Sequence, residues 1–214
     1  MNLTVQPGEI YCLLGANGAG KSTTINLFLD FIQPSGGATY VNGLNVQTQG
    51  ESSKQYLAYI PENLMLYPDL TGRENLAFFC GLAGKQPSHG ELGELLREAV
   101  LQAGFADRRV AAYSKGMRQK VGIALAVAKD ARALLLDEPT SGLDPKASNE
   151  FSELLLRLRE RGVATLMATH DLFRARDTGT HIGIMREGRL LESFEANRVD
   201  YNELEELYLQ HMHA

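Results

Sequence analysis

Gly15, Ala16, Asn17, Gly18, Ala19, Gly20, Lys21, Ser22 and Thr23 spell GANGAGKST, a stretch whose residue types suit phosphate binding. Gly15, Gly20, Lys21 and Ser22 occupy the fixed positions of G-x-x-x-x-G-K-[ST]. Glycines let backbone N–H groups turn inward onto phosphate oxygens, Lys21 adds a point charge, and a helix N-terminus adds partial positive charge. The Ser22 hydroxyl is a candidate Mg²⁺ ligand. Much further along, ALLLDEP (133–139) ends an apolar run on Asp137 and Glu138. Asp137 offers oxygens to a metal shell, and Glu138 can polarise an attacking water. Together the two segments predict a nucleoside triphosphatase.

Such chemistry needs a strand ahead of each segment and a helix after the first. Apolar runs predict strands at Ile10–Gly15, Leu57–Ile60, Ala133–Asp137, Val163–Ala168 and His181–Met185. A helix is expected over Ser22–Phe31. Ala38–Val41, ahead of Asn42-Gly43, reads as a small antiparallel piece, and Glu187-Gly188 as a turn into a strand at Arg189–Leu191. From Arg73 to Lys129 the pattern is helical. Leu92, Leu95, Leu96, Ala99, Val100 and Ala103 fall on one face, Gln86-Pro87-Ser88 is a break, and Asp107 is a candidate turn or cap. Asp144-Pro145 predicts an N-cap followed by proline at the first helical position, and Leu204, Leu207 and Tyr208 a terminal helix. Strands alternating with helices imply an α/β fold with a largely parallel central sheet, a small antiparallel β piece and an inserted helical subdomain. The expected organisation is one domain, with a core over 1–72 and 131–214 and the subdomain over 73–130.

Composition narrows the classes. The chain has 214 residues, is 44% apolar and carries a net charge of −5. That size supports a real core, and the acidic balance argues against a nucleic-acid partner. No apolar run reaches the roughly 18 residues of a membrane span. The start, MNLTVQPGEIY, lacks the basic and apolar regions of a signal peptide. Two cysteines, Cys12 and Cys80, build no disulfide framework. His211 and His213 make no metal site without further ligands. The expectation is a soluble, intracellular protein.

YSKGMRQK (113–120) lies between the phosphate segments, and SGLDP (141–145) and ATHD (168–171) follow them. That order resembles the nucleotide-binding domain of ABC transporters, over nearly the whole chain. The resemblance implies ATP and Mg²⁺ as cofactors, and head-to-tail pairing with a second ATP-binding subunit, here expected to be another copy. It makes Lys21, Glu138 and His170 the catalytic set, with His170 as the switch histidine beside the γ-phosphate. Ser114 and Gly116 match the signature motif that completes the partner's site, and Asp144 the loop that crosses the dimer interface. Ser22, Asp137 and Glu62 are the implied metal residues.

Departures from the family pattern refine the expectation. YSKGM stands where LSGGQ is usual, with Lys115 and Met117 at variable places, and Glu62 replaces the usual glutamine of YIPENLMLYPDLTGRENL. Both spellings look like the exporter branch whose permease is separately encoded. The subunit would then lie on the cytoplasmic face of the cell membrane, with 63–75 contacting that permease. Family domains also carry upstream strands and an aromatic that stacks on adenine, whereas this chain opens at MNLTV. The N-terminal strands are thus read as missing, from a mis-called start or a trimmed chain in preference to a natural short form; were the short form natural, loss of that stack, worth roughly 1–3 kcal/mol, would weaken ATP binding about tenfold or more. Two other classes compete: a soluble ABC ATPase acting on ribosomes, DNA or an assembly scaffold, and a non-hydrolysing regulator.

Overall fold

The computed structural model describes residues 1–213. Eight strands form, β1 (Ile10–Leu14), β2 (Tyr40–Val41), β3 (Leu44–Asn45), β4 (Leu57–Ile60), β5 (Ala133–Asp137), β6 (Ala164–Thr169), β7 (His181–Arg186) and β8 (Arg189–Glu195). Six of them make one sheet in the order β4-β5-β6-β1-β7-β8. All its neighbours run parallel except the β7–β8 hairpin at the edge. A parallel sheet must bury both faces, and the side chains of β1 show it. Ile10, Cys12 and Leu14 enter one apolar core, while Tyr11 and Leu13 enter the other. Burial also pushes the Cys12 thiol up to about 12, so it is an inert core residue rather than a nucleophile.

The helices are α1 (Lys21–Phe28), α2 (Gly50–Lys54), α3 (Gly72–Leu82), α4 (His89–Glu98), α5 (Lys115–Ala128), α6 (Pro145–Glu160), α7 (Leu172–Thr178) and α8 (Tyr201–His213). On one face of the sheet, Ile25 and Leu29 at the end of α1 pack with Val41 and Val46 from the β2–β3 piece. The other face carries α3 to α8, with Leu76, Leu96, Ile123, Phe151, Ala175 and Leu204 in one continuous core. No described helix is long and apolar enough to cross a membrane.

Boundaries differ from the sequence reading where local turn chemistry decides them. α1 stops three residues before Phe31, because Asp30 takes a left-handed conformation and the Phe31 N–H bonds back to the Asn26 carbonyl. α4 ends at Glu98, so Ala103 is not on its face. Val100 is left-handed, an uncommon state for a β-branched residue. Lys120, on α5, holds its carbonyl at 3.0 Å. Asp107 lies in a turn, one of the two roles the sequence allows it. It receives two bonds from the Arg73 guanidinium at 2.7 and 3.0 Å and ties α3 to the loop after α4. β8 runs four residues beyond Leu191, alternating half-buried and exposed positions as an edge strand does. Asn42-Gly43 and Glu187-Gly188 are turns with both residues at positive φ, as two-residue hairpins require. Asp144 caps α6 ahead of Pro145, as read.

Candidate functional site

The carboxyl ends of β1, β5 and β6 bring the phosphate loop, the acidic pair and His170 to one end of the sheet. After β1 the chain turns through Gly15–Gly20 and enters α1. Its N-cap, Gly20, has no side-chain cap, so the first-turn N–H groups remain available to an anion. Two glycines are sterically required. A Cβ on Gly15 would lie 2.5 Å from the Met185 carbonyl oxygen. At Gly20, φ is 105° and a Cβ would come within 2.9 Å of Met185 and 3.1 Å of Gly188. The Gly188 N–H also donates to the Ala19 carbonyl at 2.8 Å. The β7–β8 turn therefore buttresses the loop from behind, leaving Ala16, Asn17 and Gly18 exposed in front.

Lys21 is 6% exposed. Its ammonium donates to the Gly15 carbonyl at 2.6 Å and the Ala16 carbonyl at 3.3 Å, and lies 3.5 Å from Glu138 Oε1. Glu138 follows β5 with φ at 45°, a strained setting for a non-glycine residue. The bond from its N–H to the Ala168 carbonyl, 2.9 Å, holds it there. Its Oε2 accepts from Thr169 Oγ1 at 3.3 Å and lies 2.9 Å from His170 Nδ1. Its Oε1 is buried with no hydrogen bond, the Lys21 contact being an ion pair only. A buried carboxylate oxygen left in this way calls for a bound donor such as water. Above Glu138 and His170 a cleft of about 440 Å³ is lined further by Thr140, Ser141, Asp171 and Arg174.

Burial pushes the Asp137 carboxyl up from its ordinary value of 3.8. A hydrogen bond from Ser22 and the Lys21 charge oppose the rise, while Glu138 and Glu62 add to it. A group held above its unfolded pKa stabilises the fold below the ordinary value, and that contribution is lost as pH rises through the raised one. At neutral pH ionised Asp137 thus works against the nucleotide-free fold. Asp137→Asn is expected to raise Tm near pH 7 in chelator, with a difference that shrinks toward pH ~4. Thermal melts across pH check this, and a lower Tm for the variant at neutral pH would contradict it.

Lys21, Ser22, Asp137, Glu138 and His170 are joined in one network. Thr23 is exposed in the first turn of α1. Glu62 accepts from Ser141 Oγ at 3.1 Å, and its charge reaches Asp137. Ser114, Gly116 and Asp144 are not joined to that network by their side chains; Ser114 and Asp144 are exposed. Ser114 caps α5 and accepts the Met117 N–H at 3.3 Å. Gly116 is buried beside Ala147 and Leu143, and Asp144 accepts the Ala147 N–H at 2.9 Å. α5 packs on β4, α3, α4 and α6. The sequence reading missed Thr169 and Ser141, though both sit inside quoted motifs. It also missed Tyr208, whose hydroxyl pKa is raised by burial and by the Glu138 charge, placing α8 within electrostatic reach of that carboxylate.

The donor set fits a hydrated divalent cation. Among the described residues, no three His, Cys, Asp or Glu side chains could hold a metal alone. Asp137 and Ser22 supply two oxygens, and phosphate and water must supply the rest, the usual way Mg²⁺ is held.

Fold and site define a phosphate-loop nucleotide-binding protein with an α/β core. The sequence profile of the ABC transporter family matches residues 1–141, and the chain belongs to that family, whose ATP-binding proteins are its relatives. It is 37% identical over 191 residues to Nod factor export ATP-binding protein I of Burkholderia lata, covering 88% of this chain and 62% of that protein. It is 36% identical over 193 residues to bacitracin transport ATP-binding protein BcrA of Bacillus licheniformis, covering 90% and 62%. The chain thus spans about three fifths of the length of its bacterial ATP-binding relatives. A dimeric ATP-binding cassette in a post-hydrolysis state, bound to ADP and Pi, superposes with a TM-score of 0.81 at 26% identity, covering 92% of this chain and 89% of that one.

Proposed function

We propose that this chain is the ATP-hydrolysing subunit of an ABC exporter, working as a head-to-tail dimer on a separate transmembrane permease. The observation that carries the hydrolytic part is Glu138, a half-buried carboxylate whose Oε1 is buried and without a hydrogen bond beside Lys21. Transport is supported by the two relatives above, one named for export of Nod factor and the other for transport of bacitracin.

The backbone of 15–20 and the α1 N-terminus bind the β- and γ-phosphates. Lys21 is pre-placed on the Gly15 and Ala16 carbonyls and transfers its ammonium contacts to phosphate. Ser22 and Asp137 would hold Mg²⁺, with Glu62 within reach of Asp137 by charge. The ion, when bound, neutralises charge on the phosphates. Glu138 takes the proton of the attacking water on its free Oε1. His170 orients that water and the γ-phosphate. The His170 backbone N–H donates to Glu138 Oε2 at 3.4 Å, and the ring Nδ1 lies 2.9 Å from the same oxygen, so backbone and ring both sit beside the carboxylate. Ser114 and Gly116 present the α5 N-terminus to the nucleotide of a second subunit, and Asp144 lies at that interface. ATP would close the dimer, and hydrolysis would release it.

Co-expression with candidate multi-spanning permeases tests the transport assignment. A stoichiometric membrane complex whose ATPase responds to candidate cargo is the expected result. Stable association with ribosomes or DNA in its place would overturn it.

A further inference from the structure

Two spellings that depart from the family pattern, Glu62 and Lys115, meet in the fold. Glu62 follows β4 and Lys115 opens α5, directly after Ser114. Lys115 Nζ lies 3.8 Å from Glu62 Oε1, the same oxygen that accepts from Ser141 Oγ at 3.1 Å. Ser141 in turn donates its N–H to the Glu138 carbonyl at 3.2 Å. One turn along α5, fully buried Gln119 directs Nε2 to the carbonyls of Pro61 and Glu62 at 3.4 and 3.3 Å. Side chain and backbone at 62 are therefore both gripped by the first turns of α5, and the grip continues to the segment that carries Glu138. A carboxylate at 62 adds a third negative group near Asp137 and Glu138, and Lys115 is the cation that faces it.

We infer that Lys115 is a positioning residue, matched to Glu62. With Ser141 it parks the Glu62 carboxylate away from the metal position, so that the charges at 62 and 115 set how readily Glu62 is given up to a divalent cation beside Asp137. This rests on the Mg²⁺·ATP site proposed above. The parked state is weak by design. The ion pair is half exposed on the Glu62 side, 47%, and 26% on the Lys115 side, and pairs of that kind contribute a factor of about two to five in an equilibrium. A doubly charged ion can outcompete it, whereas an uncharged resting site would leave Glu62 free at all times.

The test is a double-mutant cycle on the purified full chain. A fluorescent ATP analogue is titrated by anisotropy while Mg²⁺ is varied, at protein concentrations that keep the chain monomeric. Lys115→Met is expected to lower the half-saturating Mg²⁺ concentration about two- to fivefold, and Lys115→Arg to leave it near that of the unmodified chain. In a Glu62→Gln background the Lys115→Met shift should vanish. Equal shifts in both backgrounds would show a general loss of positive charge and overturn the pairing, as would no shift in either. Absence of any Mg²⁺-dependent nucleotide binding by the unmodified chain would overturn the nucleotide-site reading itself, a separate and recognisable failure.

Discussion

Glu138→Gln lowers steady-state ATP hydrolysis by about 10²- to 10⁴-fold, the contribution of a positioned general base, and leaves nucleotide binding intact. The substitution keeps the shape of the side chain and an acceptor oxygen for Thr169 and His170, which now hold Oε2. It also leaves the backbone bond to Ala168 untouched. What it removes is the ability to take a proton from water. It also removes the negative charge 3.5 Å from Lys21, so the lysine loses a competitor for phosphate and ATP binds as well or better. Single-turnover and steady-state rates, set beside equilibrium binding of ATP, separate the two effects. Tight binding with unchanged turnover would remove Glu138 from the proton-transfer role.

Lys21→Met acts on the opposite quantity. Its ammonium is the cation held on the loop itself, buried and aimed at two carbonyls that phosphate would replace as partners. Truncating one member of a buried charge pair costs about 2–5 kcal/mol, so ATP affinity should fall roughly 30-fold or more. The variant also leaves the Glu138 carboxylate without its cation in the nucleotide-free fold, so Tm should fall by several degrees while the protein stays folded. Calorimetric titration with Mg²⁺·ATP and a thermal melt of the same sample check both halves. A loss of affinity accompanied by collapse of the nucleotide-free protein would make Lys21 a structural residue first.

The loop from Gly15 to Ser22 was legible because its spacing encodes a backbone shape. Gly15 and Gly20 leave no room for a Cβ against Met185 and Gly188, and that steric demand is what the motif spells. Asp137 and Glu138 were legible for the same reason, since an apolar run ending in two acids places them at a strand end. Helix ends were less legible. Asp30 and Val100 adopt left-handed conformations that neither residue type advertises, and the second depends on Lys120 reaching across from α5. The pairing of Glu62 with Lys115 and Ser141 was hidden altogether. Each residue could be noticed alone as unusual or polar, but only the packing of α5 against β4 brings them together. The same holds for Tyr208 near Glu138, because the sequence places a terminal helix without saying which end of the sheet it covers.

The most direct test of a dimeric, Glu138-dependent ATPase is the rate of Mg²⁺·ATP hydrolysis against protein concentration, for the unmodified chain and for Glu138→Gln. If two subunits complete each site, activity per molecule rises with concentration before it saturates, and the variant stays about 10²- to 10⁴-fold slower at every concentration. Activity strictly proportional to protein and equal in both would contradict the account, because neither a second copy nor the Glu138 carboxylate would then take part in the reaction.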